Sequence, residues 1–440
     1  MTEKLDIEKR NLKVLGVIVR VNRVRLGYSL RDLAKLTNIS HTSISNFEKG
    51  IITPHKDTIS EIFEILDLKF YSDSRISINF KKLYDKAFEY ILFHDYEAAE
   101  KVIKEIEKDK KIYEYSTEVI NYTIIQCLYY AISNVYFEHF DSYLKRYEIV
   151  LDFFSSKQKQ LYYFIKGLDF INNEQFADAR ENFERALSIG DAKLDVLIKD
   201  YYVIGLGKSN KFVDSRLYAD ECIREFESQT NYIRAMRLRT RIAFDYYRIN
   251  KFEESEKMYK KVLAFSTKYK VKELENRCNC RLALLSIAKE DYISVGYYIG
   301  KVPEHFNKLY YYIKLDVAAY EQNDEAFENL YNKYAALKWN NSSQKTKLFF
   351  ECMRMRYKKS NMIKSKYENN LNKLIKLGLK ADDAEMIESA TRMLTNFYRK
   401  ERKYKQAYET SLTLLHYLKN GTKQLEYNIC RVTRVYSDEK

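Results

Sequence analysis

At 440 residues, with 76 Lys and Arg against 62 Asp and Glu, the chain has room for two or three domains and a formal net charge of +14, which favours anionic partners. Two prolines and eleven glycines leave little room for β-turns, so the chain should be almost wholly helical. Residues 1–10 are charged throughout and no apolar run is long enough for a bilayer, so a cytoplasmic protein with no membrane contact and no signal peptide is expected.

Residues 29–50, SLRDLAKLTNISHTSISNFEKG, read as two short helices joined by a tight turn. Ser29 suits an N-cap, and Leu30, Leu33, Ala34 and Leu36 follow at helical spacing. Asn38 and Ile39 make the turn, Ser40 caps the second helix, and Ile44 and Phe47 point inward from it. Gly50 stands where a residue of positive φ is wanted. The pattern N-I-S-x-x-x-I-S-x-x-E-x-G resembles the helix-turn-helix of phage-repressor-like (Xre-type) DNA-binding proteins. The likeness covers 12–68, with a leading helix through Ile18 and Arg25 and a trailing helix over 57–66. It implies double-stranded DNA as partner, base reading by His41, Thr42 and Asn46, and phosphate contacts from Ser29, Ser40 and Lys49, with Ser43 exposed on the same helix. The side chains suit base reading, since Asn bonds adenine bidentately and Thr offers thymine both a hydroxyl and a methyl. Leu30 departs from relatives that often carry a phosphate-touching glutamine there.

Residues 69–79 form a polar connector in which Ser72, Asp73, Ser74 and Ser77 favour turns. The head, 1–68, is expected to move on it, with the first protease cut near Arg75. From 80 to 440 one pattern recurs, an aromatic anchor with packing residues 3, 7 and 10 positions later. The anchors are Tyr96, Phe140, Phe176, Phe212, Phe252, Tyr292 and Tyr404, and two further units centre on Asp324 and Lys364. Ala87, Ala131, Gly167, Ala243 and Ala283 stand nine positions before five of them, where small residues let helices approach closely. This is similar to the tetratricopeptide register. The expected fold is all-α: a five-helix Xre-type head, then a right-handed superhelix of about nine degenerate tetratricopeptide repeats with a concave face.

Cys127, Cys222, Cys278, Cys280, Cys352 and Cys430 show no C-x-x-C pairing. Cys278-Asn279-Cys280 suggests a metal or redox pair only weakly, since structural zinc wants four ligands, so buried free thiols and no metal or cofactor are expected. There is no phosphate-cradling glycine loop, no H-E-x-x-H and no nucleophile elbow, and the scattered His94, His139, His305 and His416 read as surface or seam residues, so no enzymatic activity is expected.

A repressor-like head on a long tetratricopeptide array resembles the peptide-pheromone receptors of the Rap/Rgg/NprR/PlcR/PrgX class, the NprR-like members being nearest in size. The resemblance implies a homodimeric quorum-sensing transcription regulator controlled by a short signalling peptide in the concave groove of 80–440. The alternatives are a repeat domain that docks a protein partner such as a response regulator, as Rap-like members do, and a phage lysis–lysogeny peptide receptor. Groove positions fall 15, 12, 8 and 5 residues before each anchor. They are mostly apolar in the early units (Leu128, Ile132, Phe164, Leu168), then become Asp200, Arg237, Thr240, Tyr247 and Arg277, with Arg241 and Arg281 one position after the second of these sites. Four arginines at one register either pair with local Asp and Glu or form a pocket for a peptide carboxylate. Asn172 and Asn396 are backbone partners that the resemblance implies.

Overall fold

The structure is a computed structural model that describes residues 12–52, 54–133, 135, 140–190, 192–337, 344–357 and 363–420. Four helices build the head: α1 (Leu12–Arg25), α2 (Leu30–Thr37), α3 (His41–Glu48) and α4 (Lys56–Ile65). Helices this short are marginal alone and are held by a shared core of Leu15, Ile18, Leu33, Ile44, Phe47, Ile59 and Ile62, all buried. Gly16 sets the closest approach, because a Cβ there would come within 2.5 Å of the Phe47 carbonyl oxygen. The expected fifth helix of the head is not found among the described residues of 12–68; the next helix, α5 (Ser74–Leu92), opens the array.

That start also corrects the 69–79 connector, which runs only from 66 to 73. Asp73 is the N-cap of α5: its carboxylate accepts the Arg75 backbone N–H at 2.8 Å and the Arg75 Nε–H at 2.8 Å. Residues that favour a turn in isolation here start a helix. The connector is also tied down. The Tyr71 N–H donates to the Tyr115 carbonyl at 2.8 Å, and the Ser77 and Thr117 hydroxyls meet at 2.9 Å. Helix α1 packs against α9 (Phe140–Glu148), with Val17, Val21, Tyr143 and Tyr147 lining the crevice between them. The head therefore touches the first helices of the array as well as being joined to them by the connector.

In chain order the array takes nine two-helix steps among the described residues. The first is α5 with α6 (Tyr96–Lys108); after the short α7 (Lys110–Glu114) come α8 (Val119–Ser133) with α9 and α10 (Ser156–Asn172) with α11 (Phe176–Leu187). Next are α12 (Ala192–Lys208) with α13 (Phe212–Ser228), α14 (Tyr232–Arg248) with α15 (Phe252–Lys268), and α16 (Lys272–Ala288) with α17 (Tyr292–Ile299). The last are α18 (Lys308–Tyr320) with α19 (Asp324–Ala336), α20 (Gln344–Tyr357) with α21 (Lys364–Ala381), and α22 (Ala384–Lys400) with α23 (Tyr404–Asn420). Every anchor of the repeat, Asp324 and Lys364 included, is the first residue of the second helix of its step. In seven steps the residue two before the anchor is left-handed: His94, Glu174, Asn210, Asn250, Glu290, Gln322 and Arg402, with φ between 52 and 64°. One such residue suffices to reverse the chain, which is how so many turns are made with so little glycine.

The chain divides into two compact units, Met1–Leu168 with Glu184–Ala192, and Asp169–Phe183 with Lys193–Lys440. Within the second unit, early and late steps meet directly. Lys345 Nζ donates to the Glu174 carbonyl at 2.8 Å and to Asp383 Oδ2 at 2.9 Å, and the Thr346 hydroxyl donates to Glu174 Oε1 at 2.9 Å. Arg180 pairs with Asp382 at 2.6 Å, Arg248 with Glu388 at 3.0 Å, and Lys208 with Glu385. These links form a clasp between the steps of α10–α14 and those of α20–α22.

Candidate DNA-reading helix and ligand groove

The turn and caps around α3 present its N-terminal face to solvent. Ser29 and Asp32 form a reciprocal capping box on α2, the Asp32 N–H reaching Ser29 Oγ at 3.1 Å and the Ser29 N–H reaching Asp32 Oδ2 at 2.9 Å. The Ser29 hydroxyl and N–H also hold the exposed Asp32 carboxyl below the usual range. Asn38 makes the turn in left-handed backbone, φ 51°. Ser40 Oγ then accepts the Ser43 N–H at 3.0 Å and lies 2.8 Å from Ser43 Oγ. Ser29 and Ser40 are thus caps first. Each keeps an exposed hydroxyl beside a positive helix terminus, where a phosphate is attracted. His41, Thr42 and Lys49 are exposed, and Ser43 and Asn46 are half-buried. Ile44 and Phe47 fasten the opposite face of α3 to the core, and Gly50 follows with φ 65°.

The four register arginines separate into two kinds. Arg237 Nη1 and Arg277 Nη2 both bind Glu273, at 2.7 and 2.5 Å, so these two have local partners. Arg241 and Arg281 have neither hydrogen bond nor ion pair among the described residues; they lie over aromatic rings, Tyr201 at 6.0 Å and Phe244 at 4.0 Å. Tyr247 is half-buried and stacks on Phe244 at 5.7 Å. Two assignments need correction. Asp200 is 2 % exposed and binds Arg234 at 2.7 Å, and Thr240 is 6 % exposed with its hydroxyl on the Arg237 carbonyl. Both stand 12 positions before an anchor, as do the buried Leu128 and Phe164; the buried Ile132 and Leu168 stand 8 before. Those positions lie in the seams between helices, whereas in α14 and α16 the residues 15 and 11 before the anchor, Arg237, Arg241, Arg277 and Arg281, are only half-buried. Asn396 is exposed, continuing the stripe of Glu385, Glu388 and Arg392 along α22. Asn172 is half-buried at the end of α10, two steps before α14. Cys278 and Cys280 are buried, and burial pushes both thiols up to about 12.

Residues 19–71 match the helix-turn-helix family. The head is a helix-turn-helix domain. No curated protein matches the chain. Among solved structures the fold is similar to that of a Rap protein complexed with competence and sporulation factor, at 12% identity and a TM-score of 0.65, covering 78% of this chain and 99% of that one. It is similar to NprR in complex with its cognate peptide NprX at 16% identity and a TM-score of 0.60, covering 76% and 99%. The apo form of the quorum sensor NprR from B. thuringiensis aligns at 15% identity and a TM-score of 0.54, over 78% and 100%. At these identities the likeness is one of fold. Within the helix-turn-helix domain, sequence reasoning missed the buried pair Arg23–Glu48, which ties α1 to the end of α3 through bonds of 2.6 and 2.7 Å. Arg23 Nη1 also donates to the Tyr28 carbonyl at 2.8 Å, fixing the entry to α2. The only signal for this pair was two charged residues on otherwise apolar faces.

Proposed function

We propose that the protein is a transcription regulator that reads duplex DNA with α3 and is controlled by a short signalling peptide held in the groove of its repeat array. The observation that carries the reading is the exposed His41 and Thr42 and the half-buried Asn46 on a helix fixed by its caps and core, followed by the exposed Lys49 at its C-cap and joined to an array of the Rap and NprR fold. Short polar side chains at the N-terminal end of a second helix suit the major groove. One such helix buries too little surface for tight specific binding, so the protein acts as a homodimer on two-fold-related half-sites. The groove residues of this reading are Arg237, Arg241, Tyr247, Arg277 and Arg281, with Asn172 and Asn396 further along the array. The protein works in the cytoplasm and has no catalytic step of its own. The test is selection of bound sites from a randomised duplex library by the full chain, followed by titration with synthetic peptides encoded by short reading frames beside the gene. A two-fold-related consensus whose affinity shifts with one peptide is expected. No selected consensus would remove the DNA-reading role, and a consensus indifferent to every peptide would remove the ligand control.

A further inference from the structure

The groove face of α14 and α16 carries more positive charge than its own carboxylates match. Glu273 receives Arg237 on Oε2 at 2.7 Å, and Arg277 on Oε1 at 2.5 Å through Nη2 and 3.1 Å through Nε. Arg241 follows Arg237 by one helical turn and has no hydrogen bond or ion pair with any described residue. Two further carboxylates lie within its electrostatic reach: Asp200, which binds Arg234 with the two side chains 3 % and 0 % exposed, and Asp245, which accepts the Ser215 hydroxyl at 3.0 Å. Arg237 and Arg277 therefore take both oxygens of Glu273, and Arg241 is left with no carboxylate hydrogen-bonded to it among the described residues. Burial lowers the Arg241 pKa to about 10; Asp200 opposes the change, and the nearby Arg237 and Arg277 add to it. A guanidinium half-withdrawn from water beside two others is stabilised by an added anion, and its planar fork fits a carboxylate with two parallel hydrogen bonds. Arg281 differs, because the Glu385 carboxylate lies within its electrostatic reach.

We propose that Arg241, flanked by Arg277 and Arg237, is a carboxylate subsite of the groove, which takes the terminal or an acidic side-chain carboxylate of the bound peptide. This rests on the peptide reading above. Glu273 is the built-in competitor for the same cations, so its removal strengthens the site while loss of Arg241 weakens it.

Saturation-transfer NMR on the full chain tests this with three probes: acetyl-tetraalanine free acid, its C-terminal amide, and an amidated tetrapeptide carrying one Glu. At least one carboxylate probe should bind, and which one does identifies the source of the anion; the neutral amide should not bind. Arg241→Gln should weaken binding roughly 10- to 100-fold, the range for a charge-assisted hydrogen bond. Glu273→Gln should strengthen it, a gain that misfolding cannot produce. Acid and amide binding alike, or an acid probe insensitive to both substitutions, overturns the subsite. The outcomes separate the two readings: a signalling peptide that shifts DNA affinity while the acid probes ignore Arg241→Gln leaves the peptide reading standing without the subsite. Acid probes held by Arg241 with no peptide affecting DNA leave the subsite without the proposed control.

Discussion

Asn46 on α3 and Lys49 at its C-cap stand less than one turn apart and should fail differently when cut back. The Asn46 amide makes no hydrogen bond to a described residue, so Asn46→Ala should leave the fold intact. It should cost about 1–3 kcal/mol at the cognate site, with relaxed choice at one base pair, measured by binding to single-substitution operators. Lys49 offers a point charge, and Lys49→Ala should weaken all sequences alike and reduce the salt slope by about one unit. Equal losses on cognate and random DNA for Asn46→Ala would end its base-reading role. The stability of the domain rests on other residues. Gly16→Ala would drive a methyl into the Phe47 carbonyl, and Glu48→Ala would leave Arg23 buried without its partner. Loss of one partner of a buried pair costs about 3–5 kcal/mol, enough to lower the melting temperature of the helix-turn-helix domain markedly. At this scale local chemistry was legible: caps, turn and inward apolar residues lie within a few positions of one another. The Arg23–Glu48 pair was not, because its partners are 25 residues apart and only the tertiary fold joins them.

Along the elements, the anchor pattern located the first residue of the second helix of every step, an aromatic in seven steps and Asp324 or Lys364 in the other two. The same pattern put Asp200 and Thr240 on a ligand face, whereas both are buried. A helix surface has a stripe for each neighbour, and spacing alone does not say which stripe meets solvent. The left-handed turn residues were also hidden, since Glu290 and Lys270 are ordinary surface residues by composition; both are exposed, with φ of 57 and 58°. A side chain in that conformation costs roughly 1–2 kcal/mol, and glycine avoids that strain at some cost in unfolded-chain entropy. Glu290→Gly and Lys270→Gly should therefore each stabilise the chain by up to about 1 kcal/mol in denaturant titrations, whereas glycine inside α16 should do the reverse. Glycine at 290 that destabilises would mean that the Glu290 side chain holds its turn.

Across the second unit the clasp decides how early and late steps hold together. Burial alone would raise the Glu385 carboxyl, but Lys208, with Arg248 and Arg281, holds it down to about 2. With the folded value below the unfolded one, its contribution is present above about pH 4.5 and is lost as the pH falls from there toward 2. Amide exchange across 384–400 should rise over that window, and Glu385→Gln should produce the same rise at neutral pH. Unchanged protection in that variant would show that the remaining links suffice. Nothing in the sequence announced the clasp, because its partners are up to 177 residues apart and each alone reads as a solvated charge.

An array whose repeats touch only their neighbours can unravel from either end, repeat by repeat. Bonds between Lys208 and Glu385, or Glu174 and Lys345, span 177 and 171 residues and make the second unit a loop closed on itself. It should melt in one transition, and breaking the clasp should split that transition in two. The same closure delays assembly during synthesis. At roughly 5–20 residues per second, the interval between Lys208 and Glu385 leaving the ribosome is about 10–35 seconds. For that time the early steps stand complete with Lys208 and Arg248 still lacking their carboxylates, so this face of the nascent chain should attract anions that Glu385 and Glu388 later displace.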